Sequence, residues 1–501
     1  MSSGLDRVEL RPGQYYDSVT LMQASRTVAG TAGVTEALIA MATPLNLELA
    51  QGLGFDVPPA VPALLLVAIR AEDKSGLDGA LAALDAAVAP GRTHSGPAGD
   101  EDRLPATVGA AFADSEALLA LISVPGPYAA AEAFDAVLAG RNAMIFSDGV
   151  SLEDEIALKT IGGQTGALVM GPDCGTAIVN GIALGFANVV RRGPVGIVAA
   201  SGTGAQQVSS LLETAGVGVS HLLGLGGRDL SARVGGLGAE LALSALDADP
   251  GTELIVLVSK PPDADVAQRL RGLTEGMQTP VQLALLGPGQ PDLTQTVESV
   301  LQALSAELPT WPVVGATQAT GSPGCMRGYF VGGTLAAEAL VLAEGLGPIT
   351  SNIGPDATTA ARALSGDGHV VIDFGDDELT AGRAHPMIDP TLRLDQIDRL
   401  GTADSDDVVL LLDVVLGYGA EGDPAQALAP TIRAAVSRMA QHRAVLHVVV
   451  SLCGTSSDPQ GWQAQAEALA AAGALVFASN AEAARHAVGL ARGVPSGRAQ
   501  R

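Results

Sequence analysis

Ser201, Gly202, Thr203 and Gly204 form a glycine-rich turn between an apolar run at 195–200 and a helix-like segment at 205–215. The run has β-branched residues at alternate positions and predicts a buried parallel strand. At a helix start, such a turn presents free backbone N–H groups and the positive end of the helix dipole, which favour a phosphate or carboxylate. The alternative is a tight strand–helix connection capped by Ser or Thr. The turn is not a P-loop, because no Gly-Lys-Ser/Thr follows it.

A polar segment follows a second predicted strand, at 370–374. It contains Asp376, Asp377, Arg383 and His385. The guanidinium of Arg383 has the geometry to pair with a carboxylate or phosphate, and paired carboxylates can hold Mg²⁺, although no metal site is predicted. The alternative is a solvated loop, but the position after a strand end favours a functional role.

The three cysteines, Cys174, Cys325 and Cys453, each lie beside a glycine or one residue away from one. A thiolate at a helix N-terminus could act as a nucleophile, so Cys174 and Cys453 are kept as candidates with their neighbours Asp173 and Gly454. The spacing shows no metal-ligand pattern, and packing in a small loop is the favoured interpretation. So few cysteines exclude a disulfide framework and fit a reducing compartment.

The charge and hydropathy of the chain limit the kinds of partner that it can bind. The formal net charge of −26 argues against nucleic acid and against anionic membrane surfaces. The polar amino terminus shows no signal peptide, and the apolar runs are shorter than the roughly 18 residues that a membrane span needs. We therefore expect a cytoplasmic protein, with three domains as a first expectation for 501 residues.

Strand and helix patterns alternate through the middle of the chain. Predicted strands at 117–124, 142–146 and 167–170 are separated by predicted helices at 128–139 and 152–161. This alternation predicts an α/β fold with a doubly wound parallel sheet and ligand crevices at the carboxyl ends of its strands.

Several segments resemble the α subunit of succinyl-CoA synthetase in order and spacing. They are 124–135, 142–146, Gly171-Pro-Asp-Cys-Gly175, the turn 201–204, and Gly224-Leu-Gly-Gly-Arg-Asp229, which contains Gly226 and Gly227. The last part of the chain resembles the carboxyl-terminal domain of that enzyme's β subunit, at 408–416, 445–455 and 474–486.

A closer resemblance, to the FdrA family, covers nearly the whole chain. It is carried by segments 16–22, 41–43, 327–334 and 375–391. FdrA proteins are usually described as acyl-CoA synthetases by fold. Some are associated with purine and allantoin catabolism as a subunit of oxamate carbamoyltransferase, which interconverts oxalurate plus phosphate with oxamate plus carbamoyl phosphate.

The resemblance implies a succinyl-CoA-synthetase-like fold, with several flavodoxin-like or Rossmann-like doubly wound parallel-sheet domains in one chain. We expect an N-terminal α/β domain at 1–92, a linker at 93–105 and a CoA-binding-like Rossmann half at 106–192. An α-subunit-like, flavodoxin-like ligase domain at 193–345 and a β-subunit-like ligase domain at 346–501 would follow.

The departures from succinyl-CoA synthetase bear on the chemistry. That enzyme relays phosphate through a histidine, but no histidine lies between His221 and His369 here, and no ATP-grasp domain is recognisable. The resemblance leaves two helix starts that flank the phosphate in the related enzyme. In this chain they are the turn 201–204 and the segment with Gly417, Tyr418, Gly419 and Asp423.

The resemblance, together with these residues, implies three alternative functions. The first is a carbamoyltransferase subunit that binds phosphate or carbamoyl phosphate at the two helix starts, with an oxamate-like acid nearby and partner chains in a hetero-oligomer. The second is an acyl-CoA ligase working with ATP-grasp partner chains, and the third is a non-catalytic assembly or sensing subunit. The sequence assigns no catalytic residue and no CoA or ATP site.

Overall fold

The computed structural model describes residues 5–12, 16, 18–58, 60–61, 64–88, 105, 107–113, 115–316, 324–366, 368–380, 384–401 and 407–493. The chain divides into two compact units, residues 1–106 with 381–384 and residues 107–380 with 385–501. The predicted linker 93–105 lies outside the described residues except for Pro105.

The first unit contains a three-stranded antiparallel sheet in the order β1-β3-β2. The central strand is apolar from Leu65 to Ile69 because both of its faces are covered there: Val67 and Ile69 face one hydrophobic cluster, and Leu66 and Ala68 face another with Phe55. The elements are β1 (Leu5–Arg11), α1 (Ser18–Ala29), β2 (Val34–Met41), α2 (Pro44–Gly52), β3 (Leu65–Ala71) and α3 (Lys74–Ala87).

The second unit begins with a small parallel sheet, ordered β4-β5-β6. Its elements are α4 (Val108–Ala113), β4 (Leu119–Ile122), α5 (Gly126–Leu138), β5 (Asn142–Ile145), α6 (Leu152–Thr165) and β6 (Val169–Met170).

A six-stranded sheet follows, in the order β12-β11-β9-β10-β7-β8. Strands β9 to β12 are parallel, and the hairpin β7–β8 adds two antiparallel strands at one edge. The sequence does not predict this hairpin, because each of its strands has only four residues. The elements are β7 (Thr176–Val179), β8 (Ile182–Gly185), β9 (Val195–Ala199), α7 (Gly202–Thr214), β10 (Val219–Gly224), α8 (Leu237–Asp247), β11 (Leu254–Ser259), α9 (Ala264–Thr274), β12 (Val281–Leu285) and α10 (Leu293–Ala303).

A seven-stranded sheet completes the unit, in the order β13-β19-β18-β17-β14-β16-β15, with β13 antiparallel to its neighbour. Strand β14 lies between β16 and β17, so the predicted boundary at 345 falls after a strand that pairs in this later sheet. The elements are β13 (Val313–Val314), β14 (Cys325–Phe330), α11 (Gly333–Leu342), β15 (Ile349–Ser351), α12 (Ala360–Leu364), β16 (His369–Asp373), α13 (Asp377–Thr380), α14 (Thr391–Asp398), β17 (Val408–Val415), α15 (Pro424–Gln441), β18 (Leu446–Cys453), α16 (Trp462–Ala471), β19 (Ala474–Phe477) and α17 (Asn480–Ala491).

The two large sheets share one hydrophobic core. Ile197 of β9 and Val208 of α7 belong to the same buried cluster as Phe330 of β14, Leu335 of α11 and Leu411 of β17. This shared core holds α7 against α11. The prediction of an α/β chain with several parallel-sheet domains is confirmed. None of the described helices combines the length and apolar character needed to cross a bilayer.

Candidate anion-binding site at two helix N-termini

Two polar residues follow neighbouring strands of the six-stranded sheet at the same level. Strands β9 and β11 pair Ala199 with Val258, so Ser201 and Lys260 each lie two residues beyond that pair. Parallel register therefore brings a helix cap and an ammonium group to one edge of the sheet.

The seven-stranded sheet presents its own strand ends in the same way. Phe330, the last residue of β14, pairs with Asp373 of β16, and Tyr329 pairs with Leu412 of β17. Asp373 and Asp413 therefore flank the segment that leads from β14 into α11.

The first residues of α7 and α11 contact each other. Ser201 Oγ is hydrogen-bonded to Thr334 Oγ1 at 2.5 Å, and a Cβ atom on Gly332 would lie 2.9 Å from Thr203 Oγ1. Ser201 Oγ also accepts from the backbone N–H of Gly204 at 2.9 Å, so the capping alternative is observed as well. The two helices, of 13 and 10 residues, thus direct the positive ends of their dipoles to neighbouring positions.

Helix α11 begins without a side-chain cap, because its N-cap residue is Gly332. The backbone N–H groups of Val331 and Gly332 donate to Asp413 Oδ1 and Oδ2, at 2.7 and 2.8 Å. Burial raises the pKa of Asp413 to about 6, while Arg393 acts in the opposite direction. Asp413 therefore fixes the backbone that precedes α11. Its carboxylate accepts from residues 331 and 332 and not from the N–H groups of the first turn of the helix.

Lys260 and Asp373 lie at this first turn. A Cβ atom on Gly333 would collide with Asp373 Oδ2 and would lie 2.8 Å from Lys260 Nζ. Burial raises the pKa of Asp373 to about 7, although Lys260 opposes the shift. A carboxyl that titrates near neutrality beside a lysine can exchange protons with a bound molecule.

Asp173 is a third carboxyl with a raised pKa. It follows β6 in a left-handed backbone conformation, with φ of 56°, and its N–H donates to the carbonyl of Ser147 at 3.0 Å. Burial raises its pKa to about 6, helped by the charges of Asp148 and Asp377 and opposed by Lys260. Asp173 therefore lies within electrostatic reach of both Lys260 and the predicted residue Asp377.

The second predicted helix start lies beside α7, but many of its N–H groups already have acceptors. Gln206 of α7 donates to the carbonyl of Leu416 at 3.3 Å, next to Gly417. The N–H of Gly417 donates to Gln460 and that of Tyr418 to the carbonyl of Ala187.

Backbone N–H groups in the first turn of α15 also have side-chain acceptors. Asp423 caps the N–H of Gln426 at 3.1 Å, and the N–H of Ala425 donates to Gln465 at 2.8 Å. Among the described helices beside α7, α11 has an uncapped first turn, and its sequence does not mark it as a binding site.

Phe186 connects these parts of the site. Its ring contacts the position of Gly419 and lies 6.3 Å, centroid to centroid, from the ring of His385. The carbonyl of Phe186 accepts a hydrogen bond from Thr176 Oγ1 at 2.7 Å. Thr176 Oγ1 would in turn lie 3.2 Å from a Cβ atom on Gly202. His385 and Gly419 are therefore brought towards the start of α7.

His385 is buried and borders Asp373. A Cβ on Gly375 would lie 2.8 Å from His385 Nε2 and 3.2 Å from Asp373 Oδ1. Burial lowers the pKa of His385 to about 4, so the imidazole is neutral at physiological pH. Asp376 Oδ1 accepts from the N–H of Glu378 at 3.0 Å, and Arg383 lies outside the described residues.

Two of the predicted thiols are buried. Burial raises the pKa of Cys174 to about 12 and also raises that of Cys453, so neither forms a thiolate readily. Cys174 Sγ contacts the carbonyl of Thr176 at 3.6 Å, and Cys453 Sγ lies 3.9 Å from Ser210 Oγ. Both contacts agree with the packing interpretation.

The remaining predicted glycines make different contacts. Gly226, with φ of 80°, packs directly against the carbonyl of Pro172, where no side chain would fit, and a Cβ on Gly454 would lie 2.7 Å from Leu416. A Cβ on Gly227 would meet nothing within 4 Å. A binding role for these glycines remains a prediction.

Sequence reasoning missed Lys260, Asp373 and Asp413. Lys260 follows directly after β11. Asp373 is the last residue of β16, and Asp413 lies two residues before the end of β17. A charged residue at the end of a buried parallel strand was the available signal.

Two family models match the chain. Residues 329–490 match the model described as CoA-ligase, and residues 1–104 match the model described as AllF, heavy metal-associated domain. The chain's cysteines are at 174, 325 and 453, so residues 1–104 provide no thiolate ligand for a soft metal.

Curated relatives fall into two groups. The uncharacterized protein YahF of Escherichia coli K12 is 36% identical over 500 residues, covering 95% of this chain and 96% of that protein. The α subunit of the ADP-forming succinate–CoA ligase of Methanothermobacter thermautotrophicus is 29% identical over 174 residues, covering 34% of this chain and 58% of that subunit. The chain thus spans little more than half of this ligase subunit.

A solved dinucleotide-forming acetyl-coenzyme A synthetase 1 of Ca. Korarchaeum cryptofilum, in complex with phosphate and ADP, is 13% identical. The structural alignment covers 77% of this chain and 84% of the synthetase chain, with a TM-score of 0.28.

The fold, together with the matched family models, defines a member of the acyl-CoA ligase superfamily that is similar to the α subunit of succinyl-CoA synthetase. The chain belongs to the FdrA family, which is related to succinyl-CoA synthetase.

Proposed function

We propose that the chain is a subunit of a multi-chain carbamoyltransferase and that it binds phosphate or carbamoyl phosphate at the starts of α7 and α11. The observation that carries this proposal is the contact of the two helix starts at Thr203 and Gly332, with Lys260 at the first turn of α11. Two dipole ends and an ammonium group suit a phosphate dianion.

The residues have distinct parts in this proposal. Backbone N–H groups of Gly202 and Thr203 and of the first turn of α11 hold the phosphate oxygens, and Lys260 offsets their charge. The nitrogen of the acceptor attacks the carbamoyl carbon, the bond from that carbon to the phosphate oxygen breaks, and phosphate leaves with the electron pair. Asp373, whose pKa is raised by burial to about 7, takes the proton that the nitrogen loses.

Direct binding of a phosphate-bearing molecule is favoured over a phosphohistidine relay. The sequence has no histidine between His221 and His369, and His385 is buried with a pKa lowered to about 4. The segment with Gly417, Tyr418, Gly419 and Asp423 would line the site, together with Asp173 and His385, where an oxamate-like acid would bind.

The test uses the chain with the partner chains that copurify with it. Carbamoyl phosphate and oxamate should give phosphate and a carbamoylated product without ATP or CoA. Lys260→Met should lower the rate by about tenfold or more, since it removes a charge at the leaving group. A Lys74→Met variant, altered at the start of α3, is the matched control. No phosphate release from the assembled chains would contradict the proposal.

Acyl-CoA ligation is the second candidate, favoured by the similarity to the succinate–CoA ligase α subunit. It predicts thioester formation that requires ATP, CoA and a partner chain with an ATP-grasp domain. Thioester formation without carbamoyl transfer would establish this candidate and overturn the first.

A further inference from the structure

A small cavity lies in the second unit, where the segment before α10 meets α11 and α17. Its volume is about 40 Å³, and its polar lining includes Gln290, Asp292, Glu338 and Arg485. Because one water molecule needs roughly 10–15 Å³, the cavity has room for a water-sized ion with one or two waters. The ligand is therefore limited to a small ion or to water itself.

Glu338 brings a buried carboxyl group to this cavity, and its hydrogen-bond donors are neutral. The residue is 1% exposed. Its Oε1 accepts from the N–H of Leu293 at 2.7 Å, and its Oε2 accepts from Asn480 Nδ2 at 2.7 Å. Two neutral donors only partly offset the cost of burying a negative charge, so such a carboxylate takes up either a proton or a cation.

The guanidinium that lines the cavity pairs with the other carboxyl group. Arg485 donates to Asp292 Oδ2, and Asp292 Oδ1 accepts from the N–H of Gln295 at 2.8 Å as the cap of α10. Among the lining residues that the structure describes, one guanidinium thus faces two carboxyl groups. When Glu338 is ionised, one monovalent cation would balance the charge of the cavity.

Asn480 supplies a further acceptor beside Glu338. Its Nδ2 donates to the carbonyl of Leu335 at 3.1 Å as well as to Glu338, and these two acceptors fix the orientation of the amide. The side chain is fully buried, and its Oδ1 has no donor within the described part of the chain. An unmet acceptor next to a carboxylate favours a ligand with positive charge or N–H donors and disfavours an anion.

We propose that this cavity binds one water-sized monovalent cation, ammonium or potassium, against the carboxylate of Glu338. The cation supplies the missing positive charge, and waters in the cavity complete its coordination shell. A divalent ion is disfavoured, because Mg²⁺ and Ca²⁺ take about six or more oxygen ligands. Glu338 lies one helical turn after Thr334 on α11, so the bound cation would stabilise a helix that also forms the proposed phosphate site. The cation site itself does not depend on the proposed function.

Unfolding of the full chain by urea tests the site, because a ligand that binds only the folded state stabilises it. Fluorescence reports on the second unit alone, since both tryptophans of the chain, Trp311 and Trp462, belong to it. The measurement is made at about pH 8, above the pKa of about 7 to which burial raises Glu338.

Tetramethylammonium chloride is the reference salt, because this cation is too large for the cavity. Relative to it, about 100 mM potassium or ammonium chloride should lower the unfolding equilibrium constant about tenfold, as expected for a dissociation constant of about 10 mM. Equal effects of the two salts assign the cavity to either ion. An effect of ammonium alone shows that the bound cation must donate hydrogen bonds.

Glu338→Gln should abolish the effect of both salts. Glu344→Gln, at an exposed position just beyond the end of α11, is the matched control and should keep it. Val341→Met fills the cavity without altering a charge, should also abolish the effect, and keeps the test valid if Glu338→Gln does not fold. No stabilisation of the wild type by either salt, or an undiminished effect in Glu338→Gln or Val341→Met, would overturn the cation site.

Discussion

Thr203 of α7 lies directly against Gly332, the residue before α11, although the two follow strands of different sheets. A Cβ atom on Gly332 would be 2.9 Å from both Cβ and Oγ1 of Thr203. The two helix starts approach this closely because residue 332 has no side chain. This contact is the geometric basis of the proposed phosphate site.

Gly332→Ala should therefore weaken the site. Its backbone, with φ of −105°, accepts alanine without strain, so the effect comes from the new contacts with Thr203 and with Asp413 Oδ2, at 3.0 Å. We expect a loss of about 1–3 kcal/mol in the free energy of unfolding and about tenfold weaker phosphate binding, measured by urea unfolding and calorimetry. Gly272→Ala in α9, where a Cβ would meet nothing within 4 Å, is the control. Equal phosphate affinity in both variants would contradict the contact's role.

The ionisation of Asp373 should make anion binding depend on pH. Burial raises its pKa to about 7, so a negative charge appears at the first turn of α11 as the pH rises through neutrality. Sulfate keeps its charge over this range, and its affinity should fall between about pH 6 and pH 8. Asp373→Asn should remove most of this dependence, whereas Asp265→Asn on α9 should leave it. A calorimetric pH series in which Asp373→Asn keeps the wild-type slope would argue against this role.

Glu338 should make stability fall as pH rises towards neutrality. Burial, with a smaller effect of Asp292, raises its pKa from 4.5 to about 7. The folded state thus holds a proton that the unfolded state has released, so the free energy of unfolding decreases between about pH 4.5 and pH 7. The contribution of this group is at most about 3 kcal/mol.

Glu338→Gln should reduce this decrease, as measured by urea unfolding at several pH values. Glu344→Gln, just beyond the end of α11, should behave as the wild type. The account of Glu338 is wrong if both variants keep the full decrease.

The cysteines should react at very different rates in the folded protein. Burial raises the pKa of Cys174 and Cys453, whereas Cys325 is only partly buried. A disulfide-exchange reagent at neutral pH should therefore modify one thiol quickly and two slowly. Cys325→Ser should abolish the fast phase, and three equal rates in the native protein would refute this prediction.

Local sequence was sufficient for the strand–turn–helix unit at 195–214. The apolar run 195–199 forms β9, and Ser201 caps α7 as the pattern indicates. The partner helix start could not be predicted, because the hydrogen bond between Ser201 and Thr334 joins residues 133 positions apart in the sequence. Such a pairing depends on the packing of two sheets and has no local pattern.

The segment at 417–423 shows the same limit. Its glycines and the N-cap Asp423 have the composition of an anion site, and the segment does lie beside α7. Gln460 and Gln465, about 40 residues further along the chain, occupy N–H groups that the pattern suggested were free. Composition indicates where donors lie, but only tertiary contacts determine which remain for a ligand.

The most direct test of the central claim is a calorimetric titration of the full chain with phosphate, comparing wild type, Thr203→Glu and Thr214→Glu. The two variants add the same charge at opposite ends of α7. We predict one phosphate site per chain in the wild type and in Thr214→Glu, and none in Thr203→Glu, whose carboxylate would occupy the helix start itself. No phosphate binding to the wild type, or wild-type affinity in Thr203→Glu, would contradict the site.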